Sequence, residues 1–551
     1  SFLGQSGTIV GLSDLRRGLV MDLNPELTSK VSGAPGATGY GYDVGNPQLG
    51  GNLRWGITNN LSLNATAKPD FSQIESDAGQ LAFDPRQAIF FPEKRPFFLE
   101  GAEQFAVPNR LIFTRRIVQP VAAVKLNGKA LGMNLGLLSA VDEQFASATG
   151  HDHPVFNIVR AQRDVGRDSR IGIAYTDRID GGNYNRVADV DGRIVFGGIN
   201  SLQLQLAASR SRVGGVTSTA PLWLGQYTRR GRFLGLTASF AGIADDFRAS
   251  SGAITRAGVV RAAIDPSITL YGARGATVER FTADIGVDGT WQYQNFVHGR
   301  QIQDKKLHLN ANGALKGGWN VGAGVFIESF GYDSALFTSY AIEVPRSGGG
   351  LDTIPFTGQA TIPNLEYIVQ VNTPQWKQFS ASGFFLQGND ENYPEWASGR
   401  LIFANLTLNF RPTDRLRLGA SYNLQKVNRR TDGSLVSIGQ IPRLKVEYQL
   451  ARPIFIRIVG QYIQQKTDSL RDDSRTNAPI LIATGSGYER SAVRINNEFH
   501  GDLLFSYQPM PGTVIFAGYG STLDEPDAFR FRSLRRTSDS FFAKVSYLFR
   551  L

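Results

Sequence analysis

Between Lys68 and Phe105 the chain mixes carboxylates, cations and aromatic rings. The acids are Asp70, Glu75, Asp77, Asp84, Glu93, Glu100 and Glu103, the cations include Arg86, Lys94 and Arg95, and Phe90, Phe91, Phe97, Phe98 and Leu99 lie among them. Two carboxylates facing each other across a sugar could perform glycoside hydrolysis, with Glu93 and Glu100, or Asp70 and Glu75, as candidate pairs. The competing use of such residues is structural: ion pairs that anchor a folded segment, or contacts to a ligand. The run Glu93-Lys94-Arg95 alternates sign so tightly that its partners must be shared with wall residues, Arg115 and Arg116 being the expected ones. Asp70, Glu75, Asp77, Arg86, Glu93, Lys94, Arg95 and Glu100 are the candidate set, read as anchoring, gating or ligand-binding residues with no catalytic residue assigned.

Other chemistry is thinner. The chain has no cysteine, so disulfides and thiolate metal sites are excluded. His151-Asp152-His153 places two imidazoles two positions apart, but no third ligand is identifiable, and no metal is assigned. Asp189 to Gly192 and Asp468 to Asp473 read as acidic loops with a weak capacity for calcium, neither with the spacing of a known calcium loop. No other cofactor is expected. No phosphate-binding loop, zinc-protease helix or nucleophile elbow stands in a credible context.

The elements that must position these residues follow a period of two. From Leu401, Ile402, Ala404, Leu406, Leu408 and Phe410 share one face, while Asn405, Thr407 and Asn409 share the other. After the turn Arg411-Pro412-Thr413-Asp414, Leu416, Leu418, Ala420, Tyr422 and Leu424 alternate with Arg415, Arg417, Ser421, Asn423 and Gln425. Successive strand side chains point to opposite sides, so this is a hairpin with one apolar and one polar face. The pattern recurs around Leu202, Leu307, Trp319, Leu444 and Ile454. A soluble sandwich would bury the apolar faces against each other. A membrane barrel turns them to lipid and keeps a polar lumen. Runs of about ten residues suit a tilted membrane crossing. Charged polar faces, and tight turns alternating with longer loops, also favour the barrel.

The expected fold is therefore all-β: one large antiparallel transmembrane β-barrel over residues 1–551, with roughly 22–26 strands. No apolar run is long enough for a transmembrane helix. The last run places Phe541, Ala543, Val545, Tyr547, Phe549 and Leu551 on one face, and it is read as an outer-membrane assembly signal. The chain starts at Ser1 with no signal peptide ahead of it and is read as a processed or truncated product.

Residues 68–110 break the strand pattern. A long non-strand stretch is usually functional or disordered, and its aromatic content argues against disorder. It is expected to be a plug-like insert in the lumen. Its sequence PDFSQIESDAGQ, followed by FFPEKRPFFLEG, resembles the signature of the DUF5916 family of bacterial envelope proteins. The resemblance extends to LVMDLNPELT, to GGNLRWGITNNLSLNATAKPDFSQ and to RLIFTRRI; Ile74 and Ser76 are mild departures. It implies an envelope barrel, often preceded by a carbohydrate-binding-family-9-like domain that is not seen here. Some family members are labelled membrane-associated hydrolases, a label that no chemistry in the motif warrants.

The net charge of +10 would suggest nucleic acid in a soluble protein. Here the cations fall on polar strand faces and in loops, so a lumen favouring anions, or outer loops pairing with lipid phosphates, is expected, and no nucleic acid. The expected location is the bacterial outer membrane. Expected partners are outer-membrane lipid and lipopolysaccharide, the barrel-assembly machinery, and a periplasmic or lipoprotein partner. The leading expectation is a channel or transporter with an internal plug or gate. A non-conducting scaffold that docks a periplasmic domain, lipoprotein or surface polymer is the alternative, and a membrane-associated glycan hydrolase the second.

Overall fold

The computed structural model describes residues 20–81, 84–299 and 301–551. Leu19, the first residue of the LVMDLNPELT motif, and Ala82 and Phe83 between the two parts of the signature lie outside the described residues. The alternating runs fold into one antiparallel sheet of 26 paired segments. Two of these are extensions of others. Gly39–Val44 folds back on the upper half of the first strand, Met21–Gly36, and Phe549–Arg550 continues the last strand, Arg535–Ser546. The wall proper has 24 strands, within the expected range and even, as antiparallel closure of a single chain requires. The seam joins Met21–Gly36 to Arg535–Ser546, with Glu26 opposite Ser546 and Gly33 opposite Asp539.

The period-two reading is borne out in detail. On Asn183–Phe196, Asn185, Val187, Asp189 and Asp191 are buried while Val190 is 60% exposed. On Asn200–Val213, Gln205 is buried and Leu206 is 68% exposed. Large apolar side chains therefore cover the outside, and polar ones line much of the inside. Phe541, Tyr547, Phe549 and Leu551 are all exposed on this outer surface. Aliphatic and aromatic side chains left outward around a closed wall suit hydrocarbon, not water. One reading fails here. Asp189 and Asp191 sit in the middle of a strand, not in a loop, and Asp191 pairs with the fully buried Arg160. The alternation of acids with Ala188 and Val190 is a strand signal that their density obscured.

The two rims differ. At one, short turns join strands, as between Thr58 and Leu61 or Ala130 and Met133, and the last strand ends there. The other carries the long connections, among them residues 68–119, 244–258, 332–360 and 468–493, beside a few tight turns such as that between Asp180 and Asn183. The usual asymmetry makes the first rim periplasmic and the second external. Residues 332–360 and 468–493 build a separate four-stranded sheet from Tyr340–Pro345, Leu351–Pro355, Ile480–Thr484 and Gly487–Arg490. Beneath it Phe330, Phe337, Ile342, Phe356, Tyr393, Trp396 and Ile480 form a buried cluster. Trp396 donates its indole N–H to the Gln359 carbonyl at 2.7 Å. Gly358 is required beside it, because a Cβ there would lie 2.1 Å from the Trp396 ring.

Candidate functional site

Residues 68–119 leave the wall at the external rim, after Leu61–Ala67, and return at Pro120–Ala130. These two strands are paired neighbours, with Ala67 opposite Ala122, so the whole segment is a loop between adjacent strands. Among its described residues only short helical turns form: Pro96–Leu99, Ala102–Phe105 and Thr114–Arg116. Prolines and closely spaced charges leave no amphipathic period for a longer helix.

Its side chains reach strands all around the wall. At the seam, Lys544 donates to the Asp70 carbonyl at 2.9 Å and pairs with Glu26 at 2.8 Å; the Asp70 carboxylate lies 3.9 Å away. Glu75 pairs with Arg443 at 2.8 Å and Lys445 at 3.4 Å. Ser76 donates to Asp502 at 2.6 Å, and Arg457 donates to the Gln73 carbonyl at 3.1 Å. Arg86 pairs with Asp84 at 3.0 Å and with Asp304 of another wall strand at 3.1 Å, and donates to the Tyr393 hydroxyl. Glu100 meets Arg54 at 3.0 Å, a half-exposed contact of little energetic weight. Lys125 is fully buried and donates to the Phe97 and Glu100 carbonyls.

Other charges close on the segment itself. Asp77 pairs with Lys94 at 3.1 Å and with Arg115. Glu93 holds Arg95 at 2.7 Å and accepts from Thr114 at 2.7 Å. Arg95 also donates to the carbonyls of Thr114, Ile117 and Val118, and lies over the Phe98 ring at 4.2 Å. Lys94 and Arg95 thus both have acidic partners. Arg115 and Arg116 are not wall residues as expected. They sit in the turn Thr114–Arg116 of the same segment, where Arg116 donates to the Gly252 carbonyl at 2.8 Å. The basic run after the aromatic stretch looked like the start of a strand, but the wall resumes only at Pro120.

Apolar contacts complete the docking. Phe98, Phe105 and Ile117 pack on the inner faces of Ala123, Leu138, Ala140, Phe156 and Ile158. Leu111 packs with Val187, Leu222 and Phe247. The inner wall is therefore apolar under Phe98, Phe105, Ile117 and Leu111, and not uniformly polar. Leu81 reaches Gly439 so closely that a Cβ there would lie 2.5 Å from it.

Burial alone opposes ionisation of Glu75, Asp84 and Glu93. The facing cations and donors outweigh it, Arg443 and Lys445 at Glu75, Arg86 and Gln87 at Asp84, Arg95 and Thr114 at Glu93, and hold each carboxyl below its ordinary range. Desolvation opposes the charge of Arg86, but Asp84, Tyr393 and Asp304 raise its pKa overall. Of the proposed hydrolytic carboxylates, Glu75 and Glu93 are held by Arg443 and Arg95, Glu100 makes only a half-exposed contact with Arg54, and the Asp70 carboxylate lies 3.9 Å from Lys544. Among the described residues no group of three or more His, Asp or Glu is arranged to hold a metal ion. His153 is hydrogen-bonded to the Asp142 carbonyl at 2.9 Å, Asp468 to Arg429 and Asp473 to Arg471.

The wall residues that complete the site, Arg54, Asp304, Arg443, Lys445, Asp502 and Lys544, were not singled out from sequence. Each lies on the polar side of an alternating run, a signal shared with many residues that touch nothing in the segment.

A closed antiparallel wall with an apolar exterior and a folded loop tied to its polar side defines an outer-membrane β-barrel, and its location is the outer membrane. Residues 37–141 match the family model of DUF5916, described as a domain of unknown function, so the resemblance carried by the signature is borne out there. No curated protein matches the chain. Among solved structures the chain is similar to the siderophore receptor PirA from Acinetobacter baumannii, with 8% identity, TM-score 0.47, and 97% of this chain and 81% of the other covered. It is similar to a mutant of the ferric enterobactin receptor PfeA from Pseudomonas aeruginosa at 9% identity and TM-score 0.45, covering 96% and 80%. It is also similar to the copper transporter OprC at 10% identity and TM-score 0.40, covering 96% and 80%. At such values the likeness says nothing of what this chain binds.

Proposed function

We propose that the protein is an outer-membrane channel or transporter in which residues 68–119 act as a lumenal plug or gate. The observation that supports this most is the spread of the segment's wall contacts. Arg54, Asp304, Arg443, Asp502 and Lys544 stand on five different strands, on both sides of the seam and far from it. A loop confined to the rim above its own two strands could not reach them all. A round wall of 24 strands is on the order of 45 Å across, so an unfilled lumen would pass large solutes. A folded loop tied across it by ion pairs restricts that path, and weakening the pairs would open it.

The test uses the adjacency of the flanking strands. Because Ala67 and Ala122 are paired, residues 70–117 can be replaced by a short Gly-Ser linker without changing the wall's register. In planar bilayers the replaced protein is expected to conduct at least severalfold more than the parent. No conductance in either form would instead favour the scaffold reading, for which the external four-stranded sheet offers a docking surface. Interaction with outer-membrane lipid and lipopolysaccharide follows from the location; a periplasmic or lipoprotein partner belongs to the scaffold reading.

A further inference from the structure

The external end of the wall holds a cavity of about 460 Å³ bounded by three separately built parts. Leu81 and Pro85 come from the 68–119 segment, Leu336, Phe337 and Tyr340 from the external loops, and Leu401 and Val427 from the inner wall. Its volume falls in the range of small-molecule sites, and such sites join an apolar lining to a few convergent polar groups. Here those groups are Asp390, Glu391 and Asn392, at 3%, 5% and 1% exposure.

These acids are poorly served by the protein. Asn364 donates to both carboxylates, to Asp390 at 2.7 Å and to Glu391 at 2.6 Å. Neither acid stands in any of the ion pairs among the described residues, unlike nearby Glu328, which has Lys306 at 3.0 Å and His308 at 2.7 Å. One oxygen of Asp390 and the amide oxygen of Asn392 are buried with no donor at all. Burying two adjacent carboxylates without a cation costs several kcal/mol, and an unfilled acceptor adds to that. Several acids buried in the wall do have a cation, as Asp191 has Arg160 and Glu395 has Arg429, whereas Asp189 and Glu366 have none among the described residues; what sets Asp390 and Glu391 apart is that they line a cavity.

We propose that this cavity binds a small organic cation with an apolar body, its ammonium or guanidinium group received by Asp390, Glu391 and Asn392 and its apolar part by Leu81, Phe337 and Leu401. The volume and the apolar lining favour such a molecule over a bare metal ion. Lys466 and Arg494 also line the cavity and would tolerate an anionic group at the ligand's other end. The site stands next to the gate, since Tyr393 beside Glu391 accepts the hydrogen bond of Arg86. The inference goes beyond the transport reading and does not depend on it, because binding is measured without conductance.

The experiment is calorimetric titration of the full chain in detergent with phenethylamine, 2-phenylethanol, phenylacetate and calcium chloride. Phenethylamine is expected to bind at least tenfold more tightly than the alcohol or the acid, and D390N/E391Q to abolish that preference. L401W, which fills the cavity and leaves both acids in place, is expected to lose amine binding as well, with heat-modifiable migration of each variant on gels reporting an intact wall. Equal binding of amine and alcohol, amine binding unchanged in either variant, or calcium binding with no amine binding would each overturn the proposal.

Discussion

At the scale of single residues, what matters is which charges are replaceable. Lys544 is 2% exposed and serves both the wall, through Glu26, and the segment, through Asp70. Lys544→Met removes the cation from a carboxylate that is itself only 7% exposed. The expected cost is about 3 kcal/mol, read as a lower denaturant midpoint of the folded barrel. Glu100→Gln breaks only a half-exposed pair and is expected to change that midpoint by less than about 0.5 kcal/mol. Acid acts on several anchors together. Glu75, Asp84 and Glu93 ionise more readily in the folded protein than free in water, so their anchoring is complete above the ordinary carboxylate pKa. It is lost as pH falls through their lowered values, in a window below about pH 4. Conductance is therefore expected to rise reversibly on acidification into that window, and a flat pH profile would show that these pairs do not hold the gate.

At the scale of elements, the external sheet and the segment are distinct folding units on one wall. Trp396→Ala removes the centre of the cluster formed by Phe337, Phe356 and Tyr393 and is expected to cost that unit about 3–5 kcal/mol. Limited proteolysis should then cut within residues 332–360 while the wall keeps its heat-modifiable migration. The wall was legible in the sequence because each strand declares itself locally: Leu206 beside Gln205, or Val545 beside Lys544, already assigns outside and inside. The segment was legible only as an exception to that rule. Its charged residues could be named, but not their partners, because Glu75 and Arg443 are brought together by closure of the wall and by nothing near them in the chain. Arg115 and Arg116 were misplaced for the same reason, since a basic run carries no sign of whether it joins the wall or the loop beside it. The external sheet was missed because its strands are short and drawn from two distant connections.

At the scale of the whole molecule, the proposed gate is a loop folded in from the external rim, so opening it would leave the wall intact. The net charge of +10 leads us to expect a modest anion preference once the path is open, and a reversal potential showing cation selectivity would contradict it. The central claim is that residues 68–119 restrict the lumen by being held against distant strands. The absence of cysteine allows a clean lock: Ser76→Cys with Asp502→Cys joins the segment to the wall where the native side chains stand 2.6 Å apart. The most direct measurement is the bilayer conductance of this variant at about pH 3, before and after adding a reductant. If the segment is the gate, the oxidised protein stays closed in acid and opens when the disulfide is reduced. Equal conductance in both states, with the disulfide shown to have formed, would contradict the account.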